Sequence, residues 1–206
     1  MGVVNITPDS FSDGGEYLDP NMALERATFH LNQGADVIDL GAQSTRPGAK
    51  EIGAEEELNR LIPALKAIRS IHKNALISVD TFWSDVAKIV IAEGADWIND
   101  VSGGTRDPEL LKVVGNANCP YVLMHTRGNS ETMDTFTNYN DVVEDVINEL
   151  HERTADAIAH GIKRNMIIWD PGLGFAKTTN QNLKLISQLE HISSQGFPIL
   201  LGPSKK

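Results

Sequence analysis

Four acidic residues close short runs of β-branched and aromatic residues: Val37-Ile38-Asp39, Ile77-Ser78-Val79-Asp80, Trp97-Ile98-Asn99-Asp100 and Met166-Ile167-Ile168-Trp169-Asp170. Such a run, apolar throughout, reads as a parallel strand covered on both faces. An acid at its C-terminal end points into the region where α/β folds build their sites. One such placement would be unremarkable as sequence, but four along one chain indicate a single site assembled from many strand ends. Carboxylates gathered there can accept pairs of N–H donors, stabilise a cation or offer oxygen to a hard metal ion.

The elements that must carry these residues alternate between strand and helix. Strands are expected at Met1–Asn5, Asp36–Leu40, Leu76–Asp80, Trp97–Asp100, Tyr121–His125, Met166–Asp170 and Ile199–Leu201. Helices are expected between them. Asn21–Gln33 has a helical apolar period and Gly34 as its stop,. Glu55–Ile71 places Leu58, Leu61, Ile62, Leu65 and Ile68 on one face,. Ser84 is the expected N-cap of a helix through Glu93,. Further helices are expected over Glu109–Val114, Tyr139–His160 and Gln181–Ser194. Serial β-α units without hairpin signals give a parallel sheet, either doubly wound or a (β/α)8 TIM barrel. The first strand is not followed by G-x-G-x-x-G, and functional residues end nearly every strand, so the barrel is the expectation. A full barrel takes about 250 residues. The expected α/β fold is therefore a TIM barrel truncated after strand seven, with residues 1–206 as one incomplete domain.

Composition restricts the function class. The chain has 206 residues, 41% of them hydrophobic, and a net charge of −10, which argues against general binding to nucleic acid or an anionic membrane,. A few local cations could still hold an anionic substrate. The single cysteine, Cys119, offers no disulfide framework and points to a reducing compartment,. No run is long enough to span a membrane, and the N-terminal residues have no signal character,. A cytoplasmic location is expected. His30, His72, His151, His160 and His191 lie on expected helices or near their ends, without zinc-ligand spacing,.

Four loop segments carry further chemistry. Asn5 to Gly15 is rich in hydroxyls, acids and glycine. Ser44-Thr45-Arg46-Pro47-Gly48 sets an arginine beside a fixed turn, where it could clamp an anion or be merely solvated,. Asp170-Pro171-Gly172-Leu173-Gly174-Phe175-Ala176-Lys177 is a turn signal as well as a candidate site segment,. Gly202-Pro203-Ser204-Lys205-Lys206 brings two cations.

Taken together with Ser78 to Thr81 and Ile98 to Gly104, these segments resemble the dihydropteroate synthase family from Met1 to Lys206. That family condenses 6-hydroxymethyl-7,8-dihydropterin pyrophosphate with p-aminobenzoate, giving 7,8-dihydropteroate and pyrophosphate. The resemblance implies Mg2+ and a largely dissociative substitution. It implies that Asp170 and Asn99 hold the pterin, Met124 packs on its ring, and Asp80 stabilises the cationic intermediate. Lys206 would reach the pterin carbonyl, Asn5 would ligate the metal, and Arg46 would work near the leaving pyrophosphate. Thr7, Pro8, Asp9, Phe11, Ser12, Thr45, Pro47, Phe175 and Ser204 would form the p-aminobenzoate wall and its loops. An Arg-x-His pair would come from a strand beyond Lys206. Lys205 departs from the family's usual arginine and loses bidentate geometry,.

Gly41-Ala42-Gln43 and Gly202-Pro203-Ser204 look like eukaryotic multifunctional folate enzymes. This implies a longer polypeptide that also carries a pterin pyrophosphokinase, with mitochondria as a second location. The family also implies a homodimer and susceptibility to sulfonamides. The alternatives are a pterin-binding methyltransferase domain and a non-catalytic pterin-binding module.

Overall fold

A computed structural model describes residues 1–7, 19–44 and 51–203. Six strands run β1 Gly2–Asn5, β2 Val37–Gly41, β3 Leu76–Asp80, β4 Trp97–Asp100, β5 Tyr121–Met124 and β6 Ile167–Asp170. The helices are α1 Pro20–Asn32, α2 Ala54–Ile71, α3 Ser84–Ala92, α4 Leu110–Ala117, α5 Val142–Ala159, α6 Thr179–Ser187 and α7 Leu189–Ser193. The strands pair in chain order, β1-β2-β3-β4-β5-β6, and every pairing is parallel. A doubly wound sheet reverses its order at a switch point and covers both faces with helices. Here the order never reverses, and α1 to α6 pack successively, each against the next. This is the wall of a (β/α)8 barrel.

The sheet has two faces because strand side chains alternate. Val4, Leu40, Val79, Ile98, Tyr121 and Ile167 form one row in register, and all belong to the buried core shared with the helices. From α2, Leu61, Leu65 and Ile68 meet this layer without solvent exposure, each burial contributing about 1.5–3 kcal/mol. The intervening residues occupy the opposite, inner face. Trp169 stacks on Phe197 with ring centroids 4.4 Å apart, and its indole N–H donates to Thr154 Oγ1 at 2.8 Å.

Several element boundaries differ from the sequence reading, each for a local reason. The expected seventh strand is a single parallel bridge, Trp169 to Ile199, closed by Trp169 N donating to Pro198 O and Leu200 N to Trp169 O. The wall among the described residues is thus six strands and one bridge. α3 begins at Ser84, but Ser84 does not cap it. Instead Asp107, from the loop before α4, accepts from the Ser84 backbone N–H at 2.7 Å. α5 starts at Val142, later than expected, because Asp141 accepts from the Val143 and Glu144 amides as its N-cap,. α4 runs three residues past Val114 and stops at Asn118 in the left-handed conformation. The helix expected over 181–194 is broken at Gln188, which separates α6 from α7.

Candidate functional site

Register brings the polar strand ends together. Asn5, Gly41, Asp80 and Asn99 are consecutive partners across β1 to β4. They lie on the inner face, one residue out of phase with the core row. Asn99 continues to Val122 on β5, and one alternation further up Met124 pairs with Asp170. Met124 is buried and outside the core cluster under the helices, so it floors this face rather than packing beneath it. Asn5, Asp80, Asn99, Met124 and Asp170 therefore share one surface.

Asp100 does not. It follows Asn99 and so faces the helices, where its oxygens accept from Ser102 N at 2.7 Å, Gly104 N at 2.6 Å and Tyr121 Oη at 2.6 Å. Its strand-end position builds a turn, not the site. Asp39 is on the inner face but one layer below the rim, where its Oδ2 accepts from Asn99 Nδ2 at 3.2 Å.

Gly41 leaves a gap between Asn5 and Asp80. A Cβ at Gly41 would lie 3.5 Å from both Asn5 Oδ1 and Asp80 Oδ2. The missing side chain lets Asn5 Oδ1 and Asp80 Oδ2 face the same place, and oxygen is the donor type that a hard cation such as Mg2+ prefers,.

Asp170 is nearly buried. Its Oδ1 accepts from Gly172 N at 2.7 Å. Among the described residues its Oδ2 takes no hydrogen bond. Burial pushes this carboxyl up to about 6, against the pull of the Gly172 amide and the Lys177 charge. The turn behind it requires glycine: Gly172 has φ +68°, and a Cβ there would meet His125 O at 1.9 Å.

Beneath this turn lies a network that sequence reasoning gave no role. Lys177 Nζ donates to Gly172 O at 3.0 Å and Phe175 O at 2.9 Å, and lies 2.9 Å from His125 Nδ1. His125 Nε2 is 3.1 Å from Glu149 Oε2. Glu149 is paired with Arg127, while Arg153 donates to Met124 O and Thr126 O at the end of β5. Burial pulls Lys177 down to about 7 and His125 down to about 4. Glu149 is held at about 2, because hydrogen bonds from His125 and Arg127 outweigh its burial. A neutral His125 facing an ionised Glu149 carries its proton on Nε2, which leaves Nδ1 to accept from Lys177. The network ties the Asp170–Lys177 segment to the end of β5. The only signal for it in the sequence is that Lys177 ends the same segment as Asp170, and that His125 follows Met124.

Phe175 is half-buried beside a cleft that it shares with Gln43, Ser44, Phe82, Val101 and Thr126. Arg106 closes the rim, paired with Glu51 and lying over the Phe82 ring. Thr7 is buried just after β1, where Ile6 N donates to Gly41 O at 2.7 Å. Pro8, Asp9, Phe11, Ser12, Thr45, Arg46, Pro47, Ser204 and Lys206 lie outside the described residues.

Fold and site together define an α/β barrel protein whose strand ends present oxygen acceptors, with Asn99 and Asp170 buried among them, over an apolar floor. The family described as pterin binding enzyme matches residues 1–206, and the chain belongs to that family. It is 44% identical over 206 residues to the dihydropteroate synthase of Synechocystis, covering all of this chain and 71% of that protein. It is 46% identical over 219 aligned positions to the mitochondrial folate synthesis bifunctional protein of Arabidopsis thaliana, of which it covers 40%. The chain thus spans less than half the length of that bifunctional relative. It superposes on the Xanthomonas albilineans dihydropteroate synthase solved with 4-aminobenzoic acid with a TM-score of 0.89 at 40% identity, covering all of this chain and 72% of that one.

Proposed function

We propose that the chain acts as a dihydropteroate synthase, joining 6-hydroxymethyl-7,8-dihydropterin pyrophosphate to p-aminobenzoate with release of pyrophosphate. The observation that carries this reading is the common inner face of Asp80, Asn99, Met124 and Asp170, with the buried residue Asp170 holding Oδ1 on Gly172 N and, among the described residues, leaving Oδ2 open to a donor. A pterin presents N–H donors along one edge of a flat ring. Asp170 and Asn99 accept from that edge, and Met124 lies under the ring. In the reaction the bond between the pterin methylene carbon and the pyrophosphate oxygen breaks, and pyrophosphate leaves with the electron pair. Asp80 faces the cation that remains and lowers its energy by charge. The p-aminobenzoate nitrogen then forms the new bond to the methylene carbon and loses one proton. Phe175 walls the ring of this second substrate. A closed, dry site protects the cation from water.

Magnesium fits the site. Asn5 Oδ1, with Asp80 Oδ2 across the Gly41 gap, would hold it, and it would supply positive charge to the leaving pyrophosphate,. Resemblance assigns Arg46 to the same leaving group, Lys206 to the pterin carbonyl, and Thr7, Pro8, Asp9, Phe11, Ser12, Thr45, Pro47 and Ser204 to the substrate loops. A homodimer and fusion to a pterin pyrophosphokinase belong to the same proposal, the latter in line with the bifunctional plant relative. No helix of the described residues is long and apolar enough to cross a membrane. Cytoplasm is the proposed location, with mitochondria the alternative that the plant relative's name raises.

The test supplies the pterin pyrophosphate, Mg2+ and p-aminobenzoate, and detects dihydropteroate by mass spectrometry. Dihydropteroate that forms only when all three are present supports the reading. Methyl transfer from a methylated folate, without that product, supports the methyltransferase alternative. Tight pterin binding without either product supports a binding module.

A further inference from the structure

One layer below Asn5, Asp80 and Asn99, the inner face carries Asp39 of β2 in register with Ser78 of β3. Asp39 is 5% exposed and Ser78 is fully buried. Among the described residues Asp39 Oδ1 has no hydrogen-bond partner, and neither does Ser78 Oγ. An apolar pair would fill this layer at less cost than an acid and a hydroxyl left unsatisfied. Packing therefore does not explain Asp39.

Its one hydrogen bond does. Asp39 Oδ2 accepts from Asn99 Nδ2 at 3.2 Å. The planar amide has a donor end and an acceptor end. Once its NH2 is held down by Asp39, its oxygen must point the other way, toward the rim. Burial pushes the Asp39 carboxyl up from its ordinary value; the Asn99 amide opposes, as does the neighbouring Ser78 hydroxyl, which lies close enough to favour the charge without making a well-formed hydrogen bond. A proton taken up on the unpartnered Oδ1 would leave Oδ2 as the acceptor, so the orientation survives either state. Without a fixed acceptor below, Asn99 could present either end, and an NH2 at the rim would meet the N–H edge of a pterin as donor against donor.

We propose that Asp39 is a positioning residue that locks the Asn99 amide with its oxygen toward the ligand. Asp39 thereby makes this part of the pocket an acceptor and selects for a donor edge. The proposal rests on the reading of the inner face as a pterin site.

A double-mutant cycle tests it, with 6-hydroxymethylpterin titrated calorimetrically into the parent, Asp39→Ala, Asn99→Ala and the double variant. Loss of one oriented hydrogen bond is expected to weaken binding by Asp39→Ala roughly threefold to tenfold. In the Asn99→Ala background the same change should cost nothing further, because there is no amide left to orient. Asp39→Asn keeps an acceptor oxygen within reach of Asn99 and should recover most of the lost affinity. Should Asp39→Ala fail to fold, Asp39→Leu, which fills the layer with apolar atoms, replaces it in the cycle with the same expectations. An equal loss in both backgrounds overturns the proposal, since the effect would then come from packing. Asp39→Ala binding as tightly as the parent overturns it too. Unchanged affinity in Asn99→Ala alone removes the pterin reading of this face, and the proposal with it.

Discussion

Exchange of Asp170 for asparagine should improve the fold and damage the pocket at once. Asp170 is 6% exposed and burial lifts its carboxyl to about 6, against 3.8 for the free group. The native state therefore binds this proton more tightly than the unfolded chain. The sign follows from that: the ionised carboxylate costs stability in full above pH 6, and the cost vanishes as pH falls below the unfolded value. A shift of this size corresponds to about 3 kcal/mol. Asp170→Asn removes the buried charge, so at pH 7.5 it should gain up to that amount, less the lost attraction to Lys177. For a chain of this length the gain is at most roughly 6–12 °C in Tm. The asparagine oxygen must stay on Gly172 N, which donates at 2.7 Å, so its NH2 replaces the open Oδ2. A donor then faces the pterin's own donors. Loss of a charge-assisted hydrogen bond is worth about 1.5–3 kcal/mol, a weakening of roughly tenfold or more. Calorimetric titration of a pterin and thermal melts at pH 7.5 read both effects. In the parent, pterin affinity should also fall as pH drops through 6. Equal pterin affinity in the two proteins, or a variant less stable than the parent, would refute this reasoning.

Three other outcomes are expected. His125, at about 4 in the fold and near 6.5 when unfolded,, is buried neutral, so its contribution is fully present above pH 6.5 and is lost as pH falls to 4, by up to about 3 kcal/mol. Glu149, held at about 2, adds a further loss below its unfolded value of 4.5; melts across this range should show both, and His125→Asn should flatten the slope between pH 6.5 and 4. Gly172→Ala forces a Cβ to within 1.9 Å of His125 O at a φ of +68°; a drop in Tm with loss of pterin binding is expected, and a variant that melts and binds like the parent would contradict the turn geometry. Chelation of Mg2+ by EDTA should stop turnover while leaving Tm nearly unchanged, and Asn5→Ala should raise the Mg2+ concentration needed for half-maximal rate; activity indifferent to EDTA would remove the metal from the account.

The sequence made the architecture legible because strand signals there coincide with chemistry. The strand expected over Leu76–Asp80 has those boundaries, the one expected over Met166–Asp170 begins one residue later at Ile167, and the alternation along Trp97–Asp100 is enough to separate Asn99 from Asp100. Treating both as strand-end site residues ignored that alternation, and Asp100 proves to be a turn acceptor under the helices. The role of Asp107 at the start of α3 was not legible, because it depends on a contact 23 residues away in the chain. The Lys177–His125–Glu149 network was invisible for the same reason. Its members sit 52 and 24 positions apart, and no local period or spacing joins them. The place of Gly41 between Asn5 and Asp80 emerged only with the strand register.

The central claim is that the inner-face residues Asp80, Asn99, Met124 and Asp170 form the pterin pocket. A crystal structure of the protein with 6-hydroxymethylpterin bound tests this most directly. The account predicts the donor edge of the ring on Asp170 Oδ2 and Asn99 Oδ1, with Met124 against its face and Asp39 still on Asn99 Nδ2. A ring bound elsewhere, or one that turns its acceptor edge toward Asp170, would contradict it.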